Sequence, residues 1–138
     1  SNPDSTLTVP SGARYPMAVG GYDAVTNGVY IESGRGYSVD GIVKPDYVAP
    51  AVDIYTPDRL GNYGRVTGTS AAAAISAGAC ALLMEWNLEI LDNRTVNSIE
   101  LRNQIINGTR RMANKLYPNR EEGYGRLDVY QAILNVRT

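Results

Sequence analysis

The stretch Gly68-Thr69-Ser70-Ala71-Ala72-Ala73-Ala74-Ile75-Ser76-Ala77-Gly78-Ala79-Cys80-Ala81-Leu82-Leu83-Met84-Glu85-Trp86 decides how the rest of the chain reads. From Ser70 to Trp86 almost every residue is small or apolar. Such a run predicts a helix apolar on nearly all faces yet too short to span a bilayer comfortably, and so a buried core helix. A serine at its start sits among unpaired backbone N–H groups at the positive end of the helix dipole. Those donors can hold an oxyanion, which acyl transfer at a serine requires. Gly68 permits close approach of another backbone. Taken locally, the triplet also fits a plain helix cap, the commoner use of Ser and Thr in this position.

Two further helices follow. One is predicted from Val96 or Asn97 to Asn107, with Ile99, Ile105 and Ile106 inward and Gly108 as its stop. The other starts near the N-cap Asp128 and carries Val129, Ala132, Ile133 and Val136 at helical spacing. The first half reads as short strands and turns. Tyr15-Pro16-Met17-Ala18-Val19 is a buried strand ending at Gly20-Gly21. Asn27-Gly28 is a tight turn before Val29-Tyr30-Ile31, and Gly34-Arg35-Gly36 is a loop. Tyr47-Val48-Ala49-Pro50 and Val52-Asp53-Ile54-Tyr55 are extended pieces that Pro50 keeps from merging. Strands followed by a core helix and two others give an α/β layer structure, one side of a larger sheet.

The chain has 138 residues, Lys+Arg 13, Asp+Glu 14, one Cys and no His. That length suits one domain with its own core. A net charge of -1 gives no electrostatic reason to expect nucleic acid or an anionic membrane. No stretch reads as a transmembrane span, and Ser1-Asn2-Pro3-Asp4-Ser5 has no signal-peptide character. Cys80 alone excludes an intrachain disulfide and a Cys-cluster zinc site. The missing histidine removes the commonest general base, so no Ser-His or Cys-His mechanism can run on these residues alone.

Four blocks, in order, carry a resemblance. Gly68-Thr69-Ser70, with Ala72, Ala77 and Gly78, is similar to the serine-bearing Gly-Thr-Ser-Met-Ala-x-Pro segment of subtilisin-like serine proteases, the subtilases. Lys44-Pro45-Asp46-Tyr47-Val48-Ala49-Pro50 resembles their Lys-Pro-Asp-x-x-Ala-Pro block. Tyr15-Pro16-Met17-Ala18-Val19-Gly20-Gly21 resembles a Tyr-Pro-x-x-x-x-Val-Gly strand, and Gly123-Tyr124-Gly125-Arg126-Leu127-Asp128 the Gly-x-Gly entry to the last helix. Similarity runs from about Leu7 to the end. The stretch from Asn2 to Pro10 and the helix ending Leu82-Leu83-Met84-Glu85-Trp86 resemble the clostridial spore-germination branch of the family.

The resemblance implies an α/β fold: the C-terminal part of a subtilisin-like three-layer domain, spanning residues 1–138. Its sheet would be mostly parallel, with a buried central helix after Ser70 and two more helices. It implies that Ser70 is the nucleophile of a Ser-His-Asp triad hydrolysing peptide bonds through an acyl-enzyme. The His, the Asp and the oxyanion asparagine have no matching position; Asn2 lacks the surroundings of that asparagine. The chain alone is therefore expected to be inactive. Its partners would be a peptide or protein substrate and the upstream part of the same polypeptide, with self-association through an exposed sheet edge. A secreted or spore-associated location is implied by the family alone. Ala71 and Ala74 stand where the pattern has Met and Pro, which removes no catalytic group. A cis bond before Pro10 carries over as a family trait. No cofactor is required; subtilases often hold structural calcium, but Asp40, Asp53 and Asp58 lack calcium-loop spacing and no ligand set is assignable. Cys80 reads as a buried small hydrophobe, Asp46 as structural, and Arg110-Arg111 and Arg120-Glu121-Glu122 as solvated surface. The alternatives are a non-catalytic pseudoprotease of the same fold and a self-sufficient binding module.

Overall fold

Val19–Tyr22 (β1) and Tyr47–Pro50 (β2) run side by side in parallel in a computed structural model that describes residues 6–136. The register pairs Val19 with Tyr47 and Tyr22 with Pro50. On the far side of β2, Val48 N–H donates to Gly125 O at 3.0 Å and Leu127 N–H donates to Val48 O at 2.8 Å. β2 is thus flanked on both edges. Tyr47, Val48 and Ala49 are accordingly buried, as parallel strands covered on both faces require.

β1 starts only at Val19, and Gly20-Gly21, expected to end the strand, lie inside it. A Cβ on Gly20 would come within 2.9 Å of Ser33 Oγ, and one on Gly21 within 2.5 Å of Ala51 Cβ. The glycines are there because neighbours press on the strand, not because the chain turns. Asn27-Gly28 does turn, with Asn27 at φ 61 and Asp23 N–H donating to Gly28 O at 2.8 Å. The run after it shrinks to one antiparallel bridge, Val29 to Tyr22. With Tyr30 N–H donating to Gly21 O, this segment covers the outer edge of β1.

Pro50 ends β2 as expected, but Asp53 turns at φ 56, so the next strand starts at Ile54. Ile54–Pro57 (β3) pairs antiparallel with Tyr63–Val66 (β4), a strand the sequence reading missed. The Tyr55 and Tyr63 rings stack diagonally at 5.1 Å, and Asp58 Oδ1 accepts the N–H groups of Leu60 and Asn62 to close the turn. This hairpin hands the chain directly to Gly68.

Thr69–Glu85 (α1) continues as a π turn over Trp86–Ile90. Asn87 Nδ2 donates to Leu83 O at 2.7 Å, and a side chain in the i→i−4 ladder is a recognised cause of such widening. The continuous helix has 22 residues, and an 18-residue window within it has a mean hydropathy of 1.3. By length and composition alone that could cross a membrane, which corrects the expectation that no stretch reaches such a span. Ala72, Ser76, Ala79 and Leu83 form its buried stripe. Burial was expected on nearly all faces, yet Leu82 and Met84 are 52% and 43% exposed. The polar members of the stripe are matched: Ser76 Oγ bonds the Tyr47 hydroxyl, and Asn87 bonds Gln104. Burial pushes the Tyr47 phenol up to about 12.

Ser98–Gly108 (α2) is capped by Asn97, whose Oδ1 accepts from Ile99 and Glu100 N–H at 3.0 and 3.1 Å. Leu101, Ile105 and Ile106 point inward, whereas Ile99 is 56% exposed. It sits two residues before Leu101, which puts it across the helix. Gly108 is tightly packed as well as terminal: a Cβ there would lie 2.4 Å from Ala132 N of Val129–Val136 (α3). Asp128 caps α3 by accepting from Gln131 N–H at 3.0 Å. Tyr47, Leu83, Leu101, Ile105 and Ala132 meet in one core cluster over β2.

The charged runs read as surface are partly interior. Glu122 and Arg126 are fully buried, paired at 3.0 Å, and Lys115 Nζ donates to Glu122 Oε1 at 2.8 Å. Arg126 lies 4.6 Å over the Tyr22 ring and donates to Asn27. Arg111 Nε donates to Tyr124 O, and Arg110 bridges Arg126 through its backbone. Burial pushes the Glu122 carboxyl up, but hydrogen bonds from Lys115, Tyr117 and Arg126 outweigh it and hold the group below its ordinary 4.5. A carboxylate lowered on folding stabilises the fold above its unfolded value and loses that contribution as pH falls. The urea midpoint of the full-length protein should therefore drop between neutral pH and pH 4 by more than that of a Glu122→Gln variant. Parallel pH curves for the two proteins would contradict this.

Candidate active site

Gly68 opens α1 in a conformation, φ 154 and ψ 159, that residues with a Cβ rarely adopt. Its N–H donates to Ala51 O at 2.8 Å, which ties the helix start to the end of β2. Its own carbonyl accepts the Ala71 N–H at 3.1 Å. Gly68 is thus the N-cap, and no side chain caps the helix. The local ambiguity ends there: neither Thr69 nor Ser70 is spent as a cap. Ser70 is exposed in the first turn, and a Cβ added to Gly68 would lie 3.3 Å from its Oγ. A hydroxyl held beside the free N–H groups of a helix start is placed for attack on a carbonyl whose oxygen those groups would hold.

Beside Thr69 opens a cavity of about 470 Å³. Its walls include Thr8, Gly20, Glu32, Ser33 and Pro45. Ser33 is buried, and its Oγ accepts the Gly21 N–H at 2.9 Å, so it holds the loop against β1. Tyr30 donates its hydroxyl to Glu32 Oε2 at 2.7 Å, and that bond pushes the phenol up. The Val9–Pro10 bond is cis.

The other blocks meet behind this wall. Asp46 is fully buried; its Oδ2 accepts from Ala18 N–H and Lys44 Nζ, each at 2.7 Å, and its Oδ1 accepts from Arg102 Nε at 2.7 Å. Lys44, also fully buried, donates to Pro16 O at 2.6 Å as well. Gly123, at φ 56, lies against the same turn: a Cβ on it would sit 2.0 Å from Pro45 O. Tyr124 N–H donates to Asp46 O at 2.9 Å. The Lys-Pro-Asp block, β1 and the Gly-x-Gly segment, far apart in sequence, therefore brace one another.

Cys80 is a free, half-buried thiol that burial pushes up, unlike a reactive cysteine. It packs against the core cluster. Asn2 lies outside the described residues. Among the described residues no group of three or more His, Cys, Asp and Glu could hold a metal ion. Asp53 is paired with Arg65 at 2.7 Å and Asp58 closes its own turn, so these carboxylates do not fit a calcium cage. Glu32 and Ser33 escaped the sequence reading: a single charge and a single hydroxyl in a loop form no pattern until folding brings them beside Thr69.

A family model described as the subtilase family matches residues 1–125, starting before Leu7 and ending before α3. Among solved structures, the CspB protease of Clostridium perfringens is similar with a TM-score of 0.90 and 29% identity, over 96% of this chain and 29% of that one. The self-cleaved protease domain of PatA is similar with a TM-score of 0.78 and 25% identity, over 99% of this chain and 47% of that one. Among curated relatives, the C5a peptidase of Streptococcus pyogenes serotype M18 (strain MGAS8232) is 29% identical over 93 residues, 67% of this chain. The chain spans 8% of that relative's length.

Proposed function

The chain belongs to the subtilase family, and from that premise we propose that Ser70 is the nucleophile of a serine endopeptidase acting on peptide or protein substrates. The observation that carries this reading is the helix start: Gly68 does the capping, so the Ser70 hydroxyl is left exposed beside unpaired N–H groups. Ser70 Oγ bonds to the peptide carbonyl carbon while its proton passes to a general base. The carbonyl oxygen, now negative, is held by the Ser70 N–H and by donors from elsewhere in the protein. The C–N bond then breaks, the amine leaves with the proton, and water hydrolyses the Ser70 ester. No cofactor enters these steps.

None of the 138 residues is histidine, so the base and its orienting aspartate come from the rest of the protein, and these residues alone hydrolyse nothing. An apolar groove lined by Ile75, Gly78, Leu82, Leu127 and Val129 supports that reading. Leu82 is 52% exposed there, an apolar flank that fits a face covered by another part of the protein. The remainder of the same domain is the occupant proposed, since this chain matches 29% and 47% of the two protease chains above. The likeness to the Clostridium perfringens CspB protease supports a kinship with clostridial proteases of this family.

The test is labelling of the full-length protein with a fluorophosphonate, Ser70→Ala serving as control. Label on Ser70 is expected. A folded full-length protein that takes none would leave a pseudoprotease, a subtilase fold used for binding.

A further inference from the structure

We propose that Glu32 makes the site select a substrate residue with a cationic side chain, lysine or arginine, held in the cavity beside Ser70; this rests on the reading of Ser70 as nucleophile. Among the described residues that line the cavity, Glu32 alone carries a charge. Leu7, Val19 and Ile31 supply apolar wall, and Thr69 joins the cavity directly to Ser70. At about 470 Å³ it has room for one long side chain and water. Lysine and arginine lay an aliphatic stem along apolar surface and bring a charged head to a carboxylate, which matches this order of walls.

Glu32 is prepared for that role. The Tyr30 hydroxyl fixes Oε2 at 2.7 Å and leaves Oε1 for a second donor. Nearby cations are already engaged: Arg35 pairs with Glu121 at 3.1 Å, and Lys44, under Pro45, is held by Asp46 and Pro16 O. An acidic substrate side chain in the same cavity would meet Glu32 with no cation to offset it. Rejection of acidic residues therefore accompanies the preference for basic ones.

The test uses the full-length protein and peptides identical except for arginine, leucine or glutamate at each residue flanking the cut. On one side of the cut, arginine should exceed leucine by about ten-fold in kcat/KM, carried mainly by KM, with glutamate slowest. Glu32→Gln should remove most of that ratio, and Glu32→Lys should reverse the order of arginine and glutamate. Cleavage of all three peptides with no charge preference would overturn the inference and leave the nucleophile standing. So would a preference that survives Glu32→Gln. A protein that neither cleaves nor takes fluorophosphonate at Ser70 overturns both.

Discussion

Replacing Ser70 by alanine in the full-length protein should cut kcat by on the order of 10⁶-fold, the loss that a subtilisin triad shows when its serine is removed. The effect is chemical, not structural. Ser70 is exposed and caps nothing, while Gly68 supplies the cap through its own backbone. A substitution at such a position usually leaves stability within about 0.5 kcal/mol. The thermal midpoint of Ser70→Ala should thus match the parent while activity and fluorophosphonate labelling vanish. Triad members act as a unit, so removing the histidine supplied by the rest of the protein as well should cost little more. A variant that retains a hundredth of the parent rate would place the nucleophile elsewhere.

Local signals in the sequence were read well where the physics is local. Asp128 caps α3 and Pro50 ends β2, because each device acts within three residues of itself. The serine block was ambiguous for the same reason: its neighbours along the chain cannot say whether Ser70 caps the helix. That question turned on Gly68 and on Ala51, seventeen positions before it, which takes the Gly68 N–H. Three other misreadings depend on distant partners. Gly20-Gly21 looks like a turn until Ser33 and Ala51 are known to press on it. Glu122 looks solvated until Arg126, Lys115 and Tyr117 surround it, since a carboxylate enters a core only with its partners. The flank of α1 was expected to be covered because apolar composition says that a face is to be buried, without saying which part of the protein buries it.

The missing histidine is informative in this light. If Ser70 is the nucleophile proposed above, a chain with a helix start to hold an oxyanion, an open apolar flank and no histidine reads as part of an enzyme. Both features agree with the proposed remainder of the domain, which would supply the base and cover Leu82 and Ile75. The β3–β4 hairpin positions the helix start from within this chain: through Thr67 it feeds Gly68, and Asp53 N–H donates to Thr67 Oγ1 at 2.9 Å. The position of Ser70 is fixed by residues within this stretch.

Asp46→Ala should be the most damaging substitution away from Ser70, at about 3–5 kcal/mol of stability, the cost of stripping a buried charge of its partner. Lys44 and Asp46 are both fully buried, so the ammonium would keep only Pro16 O. Arg102 would suffer less, since its side chain is 23% exposed and can turn to water. Asp46→Asn should also destabilise, because an amide NH₂ would face the donors of Ala18, Lys44 or Arg102. Replacing Lys44 and Asp46 together by Met and Leu should cost much less than either single change, the signature of a coupled pair. Urea midpoints of the full-length variants measure these losses. The site should register the change as well, because Asp46 anchors Ala18 and follows Pro45, and both residues line the cavity beside Thr69. Among molecules that remain folded, Asp46→Asn should therefore raise KM more than it lowers kcat. A loss below about 1 kcal/mol for Asp46→Ala would mean that β1 and the Gly-x-Gly segment hold the wall without this ion pair.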